Sequence, residues 1–268
     1  MCAIGQKGID LYIKDGGEWR FAGAGVPKMG TAPYEEHSSD LVRNMAAGEK
    51  ECILYLPLFD ELHELELGVD EGSSIAPMDN PFRHRIVFQG SSITHGASAT
   101  RPGMCYVALF ERRTGLYCMN MGFSGDSKLQ KEYAEYLAGV DADVFVFDAF
   151  SNPNAQEIHD RFDTFVDIIR AAHPDVPLVF LQTERREKRN FDEKFDAFEQ
   201  AKQDAAREEV TCRMKTDRNI WLIDSAGFLG DDGLGTADGT HPTDLGFMRW
   251  TDKMTPQLMK ILKKYGIR

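Results

Sequence analysis

The sequence predicts an α/β protein: a doubly wound parallel five-stranded sheet with helices on both faces, preceded by a small β-sandwich. Three observations carry this. Beyond residue 81, short uninterrupted Val/Phe/Leu runs alternate with longer amphipathic stretches, the rhythm of parallel strands buried on both faces and joined by crossover helices. Before residue 80, apolar and polar residues alternate one by one, the period of strands. Between the two regions lies Glu71–Pro81, rich in Gly, Ser, Asn and Pro, a linker composition. The expected units are therefore residues 1–80 and 81–268.

In the first unit, Ile9, Leu11 and Ile13 alternate with Asp10, Tyr12 and Lys14, and Asp15-Gly16-Gly17 supplies a turn before Trp19 and Phe21 resume the pattern. Cys52–Leu56 is a short apolar run, and Leu65, Leu67 and Val69 alternate with Glu66 and Gly68. Both read as strands, so the unit is expected to be a β-sandwich, incomplete at its N-terminal edge. In the second unit the strand-like runs are Arg85–Gln89, Leu116–Met121, Asp143–Ala149, Val176–Gln182 and Asn219–Asp224. Helical stretches lie near Met104–Arg113, Lys128–Ala138, Ala155–Ala172, Phe191–Met214 and Asp244–Tyr265. In the third of these, Ile158, Phe162, Phe165, Ile168 and Ile169 recur at spacings of three and four, marking a core face.

Composition narrows the partners. The chain has 31 Lys+Arg against 43 Asp+Glu, a net charge of −12, which disfavours broad binding to a phosphate backbone and leaves room for neutral or cationic substrates. Nucleic acid is not an expected partner, and no apolar run approaches membrane-spanning length. The opening residues lack the basic and apolar regions of a signal peptide, so a cytoplasmic chain fits, as does an exported chain without its leader. The 5 cysteines are scattered with no CxxC pair, and no His/Asp/Glu cluster has metal-ligand spacing. No disulfide frame, zinc site, catalytic metal or cofactor is expected.

In a doubly wound sheet, ligands bind beyond the carboxyl ends of the strands, where strand order reverses. The loops after the strands are therefore the places to look. After the first comes Gly90-Ser91-Ser92-Ile93-Thr94-His95-Gly96. A turn into a helix can present a serine oxygen beside backbone N–H groups able to hold an oxyanion, although Gly-Ser-Ser alone is most often only a turn. The second strand is followed by Gly122-Phe123-Ser124-Gly125-Asp126, with glycines that permit close backbone approach, and the third by Asp148-Ala149-Phe150-Ser151-Asn152-Pro153. An amide at a strand end can donate to an oxyanion, and Asn-Pro is also ordinary turn chemistry. Before the last helix stands Asp238-Gly239-Thr240-His241-Pro242. There a carboxylate three residues ahead of a histidine can orient its ring, while the segment alone reads equally as a polar loop.

Taken together, the four loops resemble, in order and content, those of the SGNH or GDSL-type hydrolase superfamily of esterases and lipases, over roughly residues 85–265. The resemblance implies a flavodoxin-like sheet with Ser92 as nucleophile, His241 as general base and Asp238 as its orienting partner. It also implies an oxyanion hole made by the Ser92 N–H, the Gly125 N–H and the Asn152 side chain. One departure stands out: Ser91 occupies the place where the family usually has Asp. The N-terminal part is similar to the β-domain that precedes certain bacterial members, whose Gly-x-Asp-Leu-Tyr signature reads here Gly8-Ile9-Asp10-Leu11-Tyr12, with Tyr55-Leu56-Pro57-Leu58 also in keeping. Such members are regarded as carbohydrate esterases or acylhydrolases and are often periplasmic or secreted.

The expected function is thus a serine esterase removing short acyl groups, acetyl first, from a small ester or an acylated glycan. The alternatives are a lipase or thioesterase of the same fold, and a carbohydrate-binding protein with a vestigial triad. Oligomeric state is not legible. The remaining residues receive plainer readings. His37, His63 and His173 are expected at the surface or in loops, His84 before the first strand, and His95 as a solvated turn histidine. Arg185-Arg186-Glu187-Lys188-Arg189 is expected to be a solvated helix start paired with Asp192 and Glu193, with a patch for anionic substrate groups as the alternative.

Overall fold

The computed structural model describes residues 1–27 and 36–268. A short helix, α1 (Ala3–Lys7), leads into strands β1 (Ile9–Asp15) and β2 (Glu18–Gly25). Gly16 and Gly17 join them at φ 59 and 86. Two consecutive left-handed residues make the two-residue turn whose twist matches a hairpin, and glycine adopts that conformation without steric cost. β3 (Cys52–Tyr55) pairs with the other edge of β1, giving an antiparallel sheet in the order β2-β1-β3.

The second layer of the expected sandwich is absent among the described residues. In its place the sheet packs against the α/β region. Asp10 is fully buried and accepts from the Gly103 N–H at 2.9 and 3.1 Å, with Arg101 3.3 Å away. The Arg112 guanidinium lies 3.9 Å from the centre of the Tyr12 ring, and Tyr55 donates to Glu111 at 2.8 Å. The signature Asp and Tyr therefore serve as the plug of this interface. The strand expected at Leu65, Leu67 and Val69 does not form, and all three side chains are exposed. Alternation marks a chain able to pair, but a strand also needs a neighbour to satisfy its N–H and C=O groups, and none of the described residues supplies one. Glu71–Pro81 is exposed and irregular, as a linker should be.

Beyond it run β4 (Arg83–Gly90), β5 (Leu116–Gly122), β6 (Val144–Asp148), β7 (Leu178–Leu181) and β8 (Ile220–Ile223). All pairs are parallel, in the order β5-β4-β6-β7-β8. The connecting helices are α2 (Ser92–His95), α3 (Tyr106–Thr114), α4 (Lys131–Ala138), α5 (Ala155–Ala172), α6 (Glu193–Arg213) and α7 (Asp244–Leu262). The strands are apolar on both faces because each face is covered. Phe88, Val146 and Leu181 pack in one core with Tyr106, Phe110 and Trp250 of α3 and α7. Val87, Phe147 and Phe180 pack in the other with Phe162, Phe165 and Ile169 of α5. Strand order reverses between β4 and β6. Gly90, at the end of β4, is in register with both Gly122 and Asp148, so three of the four loops begin side by side at the crevice.

Candidate active site

The β4 chain ends at Gly90 and turns at once into the four-residue helix α2, whose first residue is Ser92. A Cβ at Gly90 would lie 2.2 Å from Thr94 Oγ1 and 2.8 Å from the Asp148 Cβ, so only glycine lets this turn close against β6. Ser91 caps the helix through its side chain, which accepts from the Ile93 N–H at 3.1 Å. The Ser92 N–H, at the first position of the helix, is one of those a helix start leaves without an intrahelical partner.

Opposite it, the loop before α7 is closed by a bridge between Thr236 and Pro242. Gly239 takes φ +86 there, and Asp238 Oδ1 accepts from the Thr240 and His241 N–H groups at 3.0 and 2.8 Å. Asp238 Oδ2 meets His241 Nδ1 at 2.7 Å, and His241 Nε2 meets the Ser92 hydroxyl at 2.9 Å. The three candidate residues thus lie in one hydrogen-bonded chain. Burial opposes ionisation of Asp238, but hydrogen bonds from the His241 N–H, the His241 ring and the Thr240 N–H outweigh it and hold the carboxyl down at about 2. An ionised Asp238 facing Nδ1 keeps the proton on that nitrogen and leaves Nε2 free to accept from Ser92.

The other two expected donors lie on the loops that leave β5 and β6, next to the end of β4. Gly125 has φ +75 in the exposed turn after β5, and no hydrogen bond occupies its N–H among the described residues. The Asn152 amide has no partner either: its Oδ1 is buried and unpaired, while Nδ2 is not among the buried unpaired atoms. The NH₂ is thus the half of the amide left accessible.

Two further carboxylates organise these loops. Asp148, 1 % exposed at the end of β6, accepts from the Ser91 hydroxyl at 2.6 Å, the Ser91 N–H at 3.2 Å, Thr94 Oγ1 at 3.0 Å and the Ser151 hydroxyl at 2.7 Å. It joins the residue before Ser92 to the residue before Asn152. It also accounts for the departure at position 91: a carboxylate reaches this spot from β6, and a serine hydroxyl is what it needs to meet. Glu187 does similar work for the base. Its carboxylate accepts from the Gly235 and Thr236 N–H groups at 2.8 and 3.2 Å and from the Thr236 hydroxyl, and the neighbouring Lys188 N–H donates to the Gly239 carbonyl at 2.9 Å.

Neither carboxylate was singled out by sequence reasoning. The position of Asp148 at the end of a buried strand could have signalled it, whereas Glu187 was hidden in a run of charges. An amide at position 148 keeps one acceptor oxygen but removes the charge to which the Ser91 N–H and three hydroxyls donate. Asp148→Asn should therefore cost roughly 2–4 kcal/mol of stability, read by urea unfolding, and should lower kcat as well. An unchanged unfolding midpoint would refute this role.

Several plainer readings need correction. Arg186 and Arg189 are buried, not solvated. Arg186 pairs with Glu184 and Glu199, and Arg189 with Asp196 at 2.6 Å, in place of Asp192 and Glu193. His95 is half-buried rather than solvated. Its ring stacks on Phe59 at 3.8 Å, Nε2 lies against the Leu58 carbonyl, and burial lowers its pKa. It docks the N-terminal segment three residues beyond Ser92. His84, expected before the first strand, is the second residue of β4, beside Asp143 at 3.5 Å, and His173 caps the end of α5. Among the described residues, no three His, Cys, Asp or Glu side chains gather as metal ligands, and no helix is long and apolar enough to cross a membrane.

The GDSL-like lipase/acylhydrolase family matches residues 83–259, and the N-terminal domain of SGNH-hydrolase-type esterases, named GxDLY, matches residues 1–75. A candidate GDSL-like lipase from Bacteroides ovatus is 46% identical, with a TM-score of 0.91 over 97% of this chain and 76% of its own. The salicylyl-acyltransferase of a tetracycline biosynthetic pathway is 22% identical, with a TM-score of 0.69 over 98% of this chain and 75% of its own. A family two carbohydrate esterase from Clostridium thermocellum is 15% identical, with a TM-score of 0.63 over 98% of this chain and 88% of its own. The last two share the fold. No curated protein matches the chain in sequence. With a family match across most of the chain and a close structural relative over nearly all of it, this protein belongs to the GDSL-like lipase/acylhydrolase family and is a carboxylic ester hydrolase.

Proposed function

We propose that the protein is a serine esterase that removes short acyl groups, acetyl foremost, from a carbohydrate. The observation that carries the chemistry is the chain from Ser92 Oγ to His241 Nε2 at 2.9 Å and from His241 Nδ1 to Asp238 at 2.7 Å. Ser92 Oγ attacks the ester carbonyl while His241 Nε2 takes its proton, and the ionised Asp238 stabilises the imidazolium. The carbonyl oxygen, now negative, is held by the Ser92 N–H, the Gly125 N–H and the Asn152 Nδ2. His241 returns the proton to the alcohol oxygen as the C–O bond breaks, leaving the acyl group on Ser92. Water then gives a proton to His241 and attacks the acyl carbon. Collapse of the second intermediate frees the acid and returns the proton to Ser92.

Carbohydrate esterases share this fold, and the loops that carry the site expose Thr100, Ser124, Asp126 and Asn154, all polar. A fatty chain needs a continuous apolar surface, and near the His241 loop the exposed large apolar residues are Leu234 and Leu245. The segment after β3, whose Leu58 and Phe59 meet His95 three residues beyond Ser92, lies on the side to which the alcohol part of a glycan would extend. An acylated glycan as substrate carries with it a periplasmic or secreted location.

Comparing p-nitrophenyl acetate with the octanoate tests the acyl preference, and acetate release from an acetylated oligosaccharide tests the alcohol. Higher kcat/KM on acetate and release of acetate from the oligosaccharide are expected. Equal or better turnover of the octanoate would replace this reading with a lipase.

A further inference from the structure

Behind the Asn152 loop lies a group of buried charges that the mechanism above does not use. Helix α6 turns its polar side inward there: Glu199 and Lys202 are each 1 % exposed, while Phe198, one residue before Glu199, is 48 % exposed. Lys202 Nζ and Glu199 Oε1 are 2.8 Å apart, and Arg186 bridges Glu199 at 3.3 Å and Glu184 at 3.2 Å. Burying such an assembly is costly, and apolar side chains of similar volume would often stabilise a fold as well or better. Among the described residues, Glu184 Oε2 and Glu199 Oε2 accept no hydrogen bond.

The two cations share one further target. Arg186 Nη2 donates to the Ser151 carbonyl oxygen at 2.7 Å, and Lys202 Nζ donates to the same oxygen at 2.9 Å. That carbonyl belongs to the planar peptide whose nitrogen is that of Asn152, so fixing its oxygen fixes the plane from which Asn152 departs. The other side is restrained as well, because Pro153 confines the preceding residue to extended backbone. The Ser151 hydroxyl is anchored on Asp148. Among the described residues no hydrogen bond reaches the buried Asn152 Oδ1, so the aim of the amide depends on its backbone.

We propose that Arg186 and Lys202 are positioning residues that fix the Ser151–Asn152 peptide, so that the Asn152 amide is already aimed at the oxyanion before substrate arrives. The proposal rests on the reading of Asn152 as an oxyanion donor. Glu199 and Glu184 act as counter-ions that allow the cations to be buried. Burial raises Glu184 to about 7, against the pull of Arg186, and lowers the pKa of Lys202.

The test is a cycle of variants assayed on p-nitrophenyl acetate. Lys202→Met together with Glu199→Gln removes one cation and its counter-ion at unchanged net charge. It should lower kcat roughly ten- to a hundredfold, as a small misplacement of a reacting group does, with KM unchanged. Placed in an Asn152→Ala enzyme, the same pair should lower kcat no further, because the group it positions is already gone. Should that pair fail to fold by circular dichroism, Arg186→Gln with Glu184→Gln makes the same test. A loss that appears in full in the Asn152→Ala background, a loss confined to KM, or no loss at all would overturn the proposal. Unchanged kcat in Asn152→Ala alone would overturn the oxyanion-hole reading and this proposal with it, whereas failure of the cycle alone overturns only the proposal.

Discussion

Ser92→Ala and His241→Ala are each expected to lower kcat on p-nitrophenyl acetate by roughly 10⁴–10⁶, while the folded state persists. The size follows from the 2.9 Å contact that makes the two side chains one device. Without the hydroxyl there is no nucleophile to acylate, and without the ring nothing accepts its proton. Combining the two should therefore cost little more than either alone. Asp238→Asn should cost less than or comparably to these, since the amide loses the charge that stabilises the imidazolium and the acceptor that fixes its tautomer. Ser91→Ala offers the control. The Ser91 hydroxyl is fully buried and engaged with Asp148 and the Ile93 N–H, so its loss should act on stability first. If Ser91→Ala abolished turnover and Ser92→Ala did not, the nucleophile would be misassigned by one residue.

Asn152→Ala is expected to lower kcat by roughly 10²–10³ with little change in KM, the range found on removing one oxyanion donor. Among the described residues the buried amide oxygen has no hydrogen bond to lose. Its truncation should thus leave the unfolding midpoint nearly unchanged, and the effect should fall on the transition state. A parallel loss of stability would mean that the side chain is structural. Asn154, two residues further on, is held at the start of α5, where its Oδ1 accepts from the Glu157 N–H at 2.9 Å.

What could be read from the sequence was whatever repeats or sits at a fixed place along the chain. Residues 144–147 and Leu178–Leu181 are unbroken apolar runs because both sheet faces are covered, and α5 shows its buried face at spacings of three and four for the same reason. The site residues were legible because a doubly wound sheet confines chemistry to the loops after its strands, and only four loops had to be compared.

Long-range pairing was not legible. Leu65, Leu67 and Val69 carry the strand period, but a period does not provide a neighbour. The run Arg185–Arg189 reads as solvated because its partners Glu184, Asp196 and Glu199 are scattered on either side, and only packing α6 against the segment after β7 brings them together. Asp148 lay in plain view at a strand end. Its meaning depended on three hydroxyls, from Ser91, Thr94 and Ser151, that come together only when β4 and β6 pair in register.

The central claim is that Ser92, activated by His241, is the group that attacks the ester. It is tested most directly by treating the folded protein with a fluorophosphonate and mapping the adduct by peptide mass spectrometry. The account predicts one phosphonylated serine, Ser92, labelled in step with loss of esterase activity, with labelling abolished in Ser92→Ala and strongly slowed in His241→Ala. An adduct on Ser91 or another serine, or full loss of activity with Ser92 unmodified, would contradict it.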